Sequence, residues 1–177
     1  MGAIASPTLL NSEHDTAQFN AGSSSLNEWL YKRALKNQAT GASRTFVICE
    51  SNRIIGYYAL ATGSVERLAA PGSIARNMPE PIPVIVLGRL AVDAQYQGRR
   101  LGAALLKDAM LRTLTIAQNV GVRGLLVHAI SEEAKQFYLS YGFQASPIEP
   151  MTLLLSVQHL KGYFKDLVYN PKEEGYK

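Results

Sequence analysis

The segment from Pro83 to Leu106, PVIVLGRLAVDAQYQGRRLGAALL, constrains the fold of this chain more than any other. Val84 to Val92 is an apolar run broken only by Gly88 and Arg89. It is rich in β-branched residues and preceded by Pro81 and Pro83, which predicts a buried strand. A polar turn, Asp93 to Arg100, follows with Gly98 near its centre, and Leu101 opens an apolar-striped helix. Strand, basic turn and helix in succession make a device for binding phosphate. The first amides of the helix lack intrahelical acceptors, and the helix dipole adds partial positive charge there. Gly98 and Gly102 let a ligand approach the backbone, while Arg99 and Arg100 supply full charges. The turn matches neither GxGxxG nor GxxxxGK[ST], which argues against a dinucleotide fold or a P-loop.

A chain of 177 residues, 47% of them hydrophobic, suits one domain with its own core. The formal charge of +4 permits an anionic partner. A single cysteine, Cys49, excludes an intramolecular disulfide, and neither CxxC nor HExxH occurs, so no metal site is expected. No apolar run is long enough to span a membrane, and no basic-then-apolar leader begins the chain. The expected setting is the reducing cytoplasm, without membrane attachment.

Taken in order, residues 1–24 read as an irregular arm. Ser25-Leu26-Asn27-Glu28 has the capping-box pattern and predicts a helix with Leu26, Leu30 and Ala34 on one stripe. Thr45–Glu50 and Ile54–Thr62 read as a hairpin around Ser51-Asn52-Arg53, with Gly56 marking a bulge or close approach. Residues 63–83 are rich in Gly, Pro and small residues and read as a long surface loop with one helical turn near Val65 to Leu68. After the central strand and turn, a helix is expected from Leu101 to Asn119, then a buried strand from Leu125 to Ile130. Ser131 caps a further helix ending at Gly142, and Met151–Val157 is the last clear strand. The tail 158–177 is mixed, and Pro171 to Lys177 is expected to be disordered. This order predicts a single α/β domain with a mixed sheet.

Two motifs carry a resemblance. Gln97-Gly98-Arg99-Arg100-Leu101-Gly102 resembles the pyrophosphate loop [QR]-x-x-G-x-[GA] of the GNAT superfamily of acetyl-CoA-dependent N-acetyltransferases, with Arg100 where the middle glycine is usual. Ser131-x-x-Ala134-x-x-Phe137-Tyr138-x-x-x-Gly142-Phe143 resembles that superfamily's N-x-x-A-x-x-F-Y-x-x-x-G-F, with Ser131 replacing Asn. The two cover Val84 to Phe143. The resemblance implies a GNAT fold across residues 1–177, with a mixed central sheet of about six to seven strands flanked by about four helices. It also implies a splayed strand pair that admits the cofactor's pantetheine arm. Further segments, among them Leu26-Asn27-Glu28-Trp29-Leu30, Gly56-Tyr57-Tyr58, Leu126-Val127-His128-Ala129 and Pro150-Met151-Thr152-Leu153, are similar to the TacT and AtaT type of toxin in bacterial type II toxin–antitoxin modules. That likeness spans residues 15–157. It implies acetylation of the α-amino group of aminoacyl-tRNA and arrested translation. The implied partners are a cognate antitoxin of ribbon-helix-helix type, operator DNA through the toxin–antitoxin complex, and a second copy in a homodimer.

The resemblance assigns acetyl-CoA to Leu90, Ala91, Val92, Gln97, Gly98, Arg99, Arg100, Leu101, Gly102 and Ala103. A backbone N–H between Leu90 and Val92 would stabilise the oxyanion. Tyr138 is the expected general acid for the departing sulfur, since a phenol is protonated at neutral pH. No base is assigned; Glu50 and Glu66 are possible, and a free α-amine is partly neutral near pH 7. Lys32, Arg33, Lys36, Arg44 and Arg89 are the candidate tRNA contacts, against the plainer reading of a solvated basic face. His128 reads as a core histidine, Cys49 as core filler and Trp29 as a hydrophobic anchor. Two other functions fit the same residues: a GNAT for a small amine or protein N-terminus, and a degenerate, non-catalytic binding module, suggested by Arg100 and Ser131.

Overall fold

The computed structural model describes residues 4–165, and the expectation for Pro171 to Lys177 lies outside them. Seven strands form one mixed sheet: β1 (Thr8–Leu9), β2 (Arg44–Glu50), β3 (Arg53–Val65), β4 (Ile82–Val92), β5 (Gly124–His128), β6 (Gln144–Ala145) and β7 (Thr152–Ser156). They lie in the order β1-β2-β3-β4-β5-β7-β6. Only β4 and β5 run parallel; the other pairs are antiparallel. Parallel neighbours need a crossover, and the 17-residue helix α4 (Leu101–Ala117), numbered after the shorter helices α1 to α3 given below, provides it.

The alternation of side chains divides the core between the sheet's two faces. On one face, Ile85, Leu87, Leu125, Val127, Leu153 and Leu155 meet Leu105, Leu106, Ala109 and Met110 of α4. α5 (Glu132–Ser140) and α6 (Val157–Tyr163) complete this layer, with Tyr138 and Leu160 buried. The opposite face carries two clusters. One joins Leu10, Phe19, Leu30 and Ala34 to Val47, Ile54, Tyr57 and Ala91, beneath α1 (Ser24–Lys32) and α2 (Ala34–Thr40). The other joins Ile74, Ile82, Val84, Leu126 and Leu154 beneath the short helix α3 (Gly72–Ala75).

Several expectations change. α1 begins two residues earlier than its capping-box pattern suggested: Ser23, not Ser25, is the N-cap and accepts from the Leu26 amide at 3.4 Å. The segment after residue 62 is not a long loop. β3 continues to Val65, and the connection folds into a 3₁₀ turn at Arg67–Ala69 and α3, which is pinned by the fully buried Ile74. The tail forms α6, because Val157, Leu160 and Phe164 make a helical stripe that buries against α4. The bulge at Gly56 is present: Ile48 faces Gly56 while Cys49 faces Ile54. Among the described residues, no helix is long and apolar enough to cross a membrane.

Candidate active site

β4 and β5 pair only from Val84–Leu87 against Gly124–Val127. There β4 bulges at Gly88, so that Leu60 faces Leu87 while Ala59 faces Arg89. Beyond the bulge β4 runs on to Val92 with β3 on one side only, and β5 ends at His128. A cleft of about 1050 Å³ opens between the parted strands. Its wall includes the free edge of β4, whose backbone groups there have no strand partner. Leu90 and Val92 line this cleft. Ala91 does not: its side chain lies on the other face, beside Tyr57, and only its backbone can serve a ligand.

The loop after β4 is tied down at its start. Asp93, buried at 1% exposure, accepts from the amides of Asn20 and Gln95 at 3.0 and 2.9 Å. Arg53 pairs with the same carboxylate at 3.4 Å. The chain then turns through two left-handed residues, Gly98 at φ 80° and Arg100 at φ 61°. Gly98 takes that conformation freely, whereas Arg100 holds it with a Cβ in place. The reward is the direction of α4. The first amide to bond back within the helix is Ala104, to the Arg100 carbonyl at 3.1 Å. The N–H groups of Leu101, Gly102 and Ala103 are left at the cleft, which suits a pyrophosphate. Gln97, Gly98 and Arg100 line the cleft as well. Arg99 is not part of that lining; its guanidinium lies over the Tyr96 ring at 5.0 Å.

α5 supplies the third wall. Ser131 caps it, accepting from the Ala134 amide at 3.0 Å, so serine performs the capping that asparagine would perform in the motif. The helix places Tyr138 in the cleft at 6% exposure, wedged edge-on between Phe137 and Phe143. Burial pushes its phenol up to about 12, which keeps the hydroxyl protonated at neutral pH. Of the two carboxylates considered as bases, Glu50 accepts a hydrogen bond from the Tyr96 hydroxyl, and Glu66 lines a different cavity.

That second cavity, about 380 Å³, lies on the α3 side of the sheet. His128 borders it and the cleft alike. The expectation of a core histidine is therefore corrected: β5 stops there, and the ring is exposed at the strand end. Its Nδ1 lies 2.8 Å from Thr152 Oγ1 on β7. The signal in the sequence was the polar residue that ends an apolar run just before a helix cap.

The basic residues divide. Lys32, Arg33 and Arg89 gather around a shallow pocket that runs along α1, next to the cleft. The Arg89 guanidinium stacks 4.5 Å from the Trp29 ring, whose other neighbour is the parallel ring of Tyr57. Trp29 is thus an anchor, as expected. Lys36 is exposed on α2. Arg44 lies at a separate groove, donating to the Gln38 carbonyl at 2.9 Å. Cys49 packs partly buried near Tyr57, and burial raises its thiol.

The comparisons with known proteins follow this geometry. The acetyltransferase (GNAT) domain family matches residues 41–145. A tRNA-acetylating toxin of Mycobacterium tuberculosis is 44% identical over 166 residues, covering 94% of this chain and all of that protein. The AtaT toxin complexed with acetyl-methionyl-tRNAfMet is 28% identical with a TM-score of 0.85, covering 92% of this chain and 99% of that one. A mutant AtaT bound to the C-terminus of the antitoxin AtaR and acetyl-CoA is 27% identical with a TM-score of 0.80, over 92% and 99% of the two chains. With its two motifs joined in one cleft between parted strands, and with these matches over more than half its length, this chain belongs to the GNAT acetyltransferase family.

Proposed function

We propose that this protein transfers the acetyl group of acetyl-CoA to the α-amino group of aminoacyl-tRNA and so blocks translation. The observation that carries the reading is a single cleft bordered by the phosphate-binding turn, Tyr138 and the Arg89–Lys32–Arg33 surface. The 44% identical relative, named a tRNA-acetylating toxin, supports it.

In this reading the amides of Leu101, Gly102 and Ala103 hold the pyrophosphate, with Gly98 giving access and Arg99 and Arg100 adding charge. The free edge of β4, from Leu90 to Val92, receives the pantetheine arm, and an N–H of that edge stabilises the carbonyl oxygen as it becomes tetrahedral. Tyr138 gives its proton to the sulfur as the C–S bond breaks. Lys32, Arg33 and Arg89 contact tRNA phosphates, with Lys36 extending the same surface along α2. Arg44, at its separate groove, would reach only a more distant part of the tRNA. Toxicity of this kind needs restraint in the cytoplasm, and we assign it to a cognate antitoxin of ribbon-helix-helix type. That complex, with the toxin as a homodimer, would bind operator DNA.

The test is transfer of labelled acetyl from acetyl-CoA to a pool of charged tRNAs, with uncharged tRNA and Tyr138→Phe alongside. Label on charged tRNA only, falling roughly 10²–10⁴-fold in the variant, is expected. Label on free amino acids or peptides but not on charged tRNA would refute the tRNA reading. A folded protein that transfers to nothing and does not bind acetyl-CoA would be a binding module.

A further inference from the structure

Acyl transfer to an amine also needs a proton acceptor. An α-ammonium has no lone pair, and nitrogen must shed a proton before it can attack the thioester. We infer that His128 is the base, held in its working tautomer by Thr152 and Glu149, and that the acceptor amine reaches it from the α3 side of the sheet. The inference rests on the aminoacyl-tRNA reading and adds to it.

The strand register places the ring. β4 and β5 pair for the last time at Leu87 and Val127, so His128 is the next residue, level with Gly88, where the strands part. Leu126 belongs to the α3-side cluster and Val127 to the α4-side cluster, so alternation sends His128 to the α3 side. At the end of the strand its ring still borders the cleft that holds Tyr138. It stands in the gap between the two cavities.

The hydrogen bonds fix its chemistry. Thr152 faces His128 in the β5–β7 register, and its hydroxyl donates to Glu149 Oε2 at 3.2 Å. A hydroxyl has one proton. With that proton directed at the carboxylate, Thr152 Oγ1 accepts from the imidazole, 2.8 Å away at Nδ1. Nδ1 therefore carries the hydrogen, and Nε2 keeps a lone pair for a substrate proton. The relay is firmly seated. Thr152 is 5% exposed, and its carbonyl accepts from the Ser146 amide at 2.8 Å. Ser146 Oγ accepts in turn from the amides of Ile148 and Glu149, at 3.3 and 3.2 Å.

The surrounding charges suit an ammonium. Glu66 and Glu149 line the α3-side cavity, and neither Lys nor Arg does. On the cleft side the charged and titratable lining groups are Glu133, Arg89, Arg100, Tyr96, Tyr138 and Tyr141, with Arg100 on the turn before α4 and Arg89 shared with the α1 pocket. The step balances. His128 Nε2 takes one proton from the ammonium, and the freed nitrogen forms the C–N bond. The C–S bond breaks as Tyr138 protonates sulfur, and the second amine proton, lost as the amide forms, restores the Tyr138 hydroxyl. The imidazolium then yields its proton to solvent at the exposed strand end.

Single-turnover transfer to aminoacyl-tRNA should be compared in wild type, His128→Ala and Thr152→Val, with acetyl-CoA affinity measured by calorimetry. His128→Ala should transfer roughly 10²-fold more slowly at neutral pH with unchanged acetyl-CoA affinity. Added imidazole should restore part of the rate, and the deficit should shrink as pH rises and the acceptor amine loses its proton unaided. Thr152→Val should lose roughly tenfold through the unfixed tautomer. A His128→Ala rate at the wild-type level, or a deficit that ignores both pH and imidazole, overturns the assignment. If His128→Ala fails to bind acetyl-CoA, His128→Asn is judged by the same outcomes, since it keeps a donor to Thr152 without a basic nitrogen. Absence of transfer by the wild type itself would instead remove the tRNA reading.

Discussion

Replacing Arg100 with glycine should make the protein more stable and worse at holding its cofactor. Arg100 sits at φ 61°, ψ 23°, at the start of α4. A residue with a Cβ pays about 1–2 kcal/mol for that conformation. Glycine removes the clash but loses roughly 0.5–1 kcal/mol through its freer unfolded chain. The expected net is a gain of up to about 1.5 kcal/mol. Against this, the side chain lines the cleft beside the free amides of α4. Charge-assisted hydrogen bonds are worth about 1.5–3 kcal/mol, and the exposure of Arg100 places it at or just below the lower end. Acetyl-CoA should therefore bind roughly tenfold more weakly, since 1.4 kcal/mol is about a factor of ten. Arg100→Ala separates the two effects: it keeps the Cβ and its strain but loses the charge. Urea unfolding and titration calorimetry on the three proteins measure both. A glycine variant less stable than the alanine variant would refute the strain argument, and unchanged affinity in both would refute the phosphate contact.

Two further outcomes are expected. Tyr138 has a folded-state pKa near 12 against an unfolded value of about 10, so the stability held in its neutral form is complete below pH 10. It is lost as pH rises from 10 to 12, by roughly 2–3 kcal/mol, and Tyr138→Phe should show a shallower alkaline fall in urea midpoint; equal slopes would contradict the burial argument. Arg89→Ala should lower the salt slope of tRNA binding by about 0.7–0.9, and an unchanged slope would mean that its cation serves only Trp29.

Local features were legible in the sequence. The strand through Val92, the Gly56 bulge and the Ser131 cap each follow from neighbouring residues, and each stands where it was expected. Competition between near-equivalent local patterns defeated the α1 cap: Ser23 and Ser25 both offer a capping hydroxyl, and Ser23 is the one that bonds the Leu26 amide. Features set by distant pairing were not legible. His128 looks like core because Leu125 to Val127 precede it, and only the early end of β5 exposes it. Lys32 and Arg44 group by charge alone, yet Arg44 opens β2 and lies at a separate groove, where it donates to the Gln38 carbonyl. Ala91 shows the same limit at the scale of one residue, since the bulge at Gly88 decides which face it joins.

The parting of β4 from β5 also bears on the order of events in turnover. It leaves two openings, one on the α4 side and one on the α3 side of the sheet, with His128 lining both. Neither reactant has to pass through the other's entrance. Cys49, the one thiol in the chain, packs in the Tyr57 cluster and lines neither opening, so it is not placed to carry an acetyl group. The expected consequence is direct transfer, with donor and acceptor on the protein together. In kinetic terms the expected outcome is a set of intersecting initial-rate lines, the mark of a ternary complex, and parallel lines would contradict it.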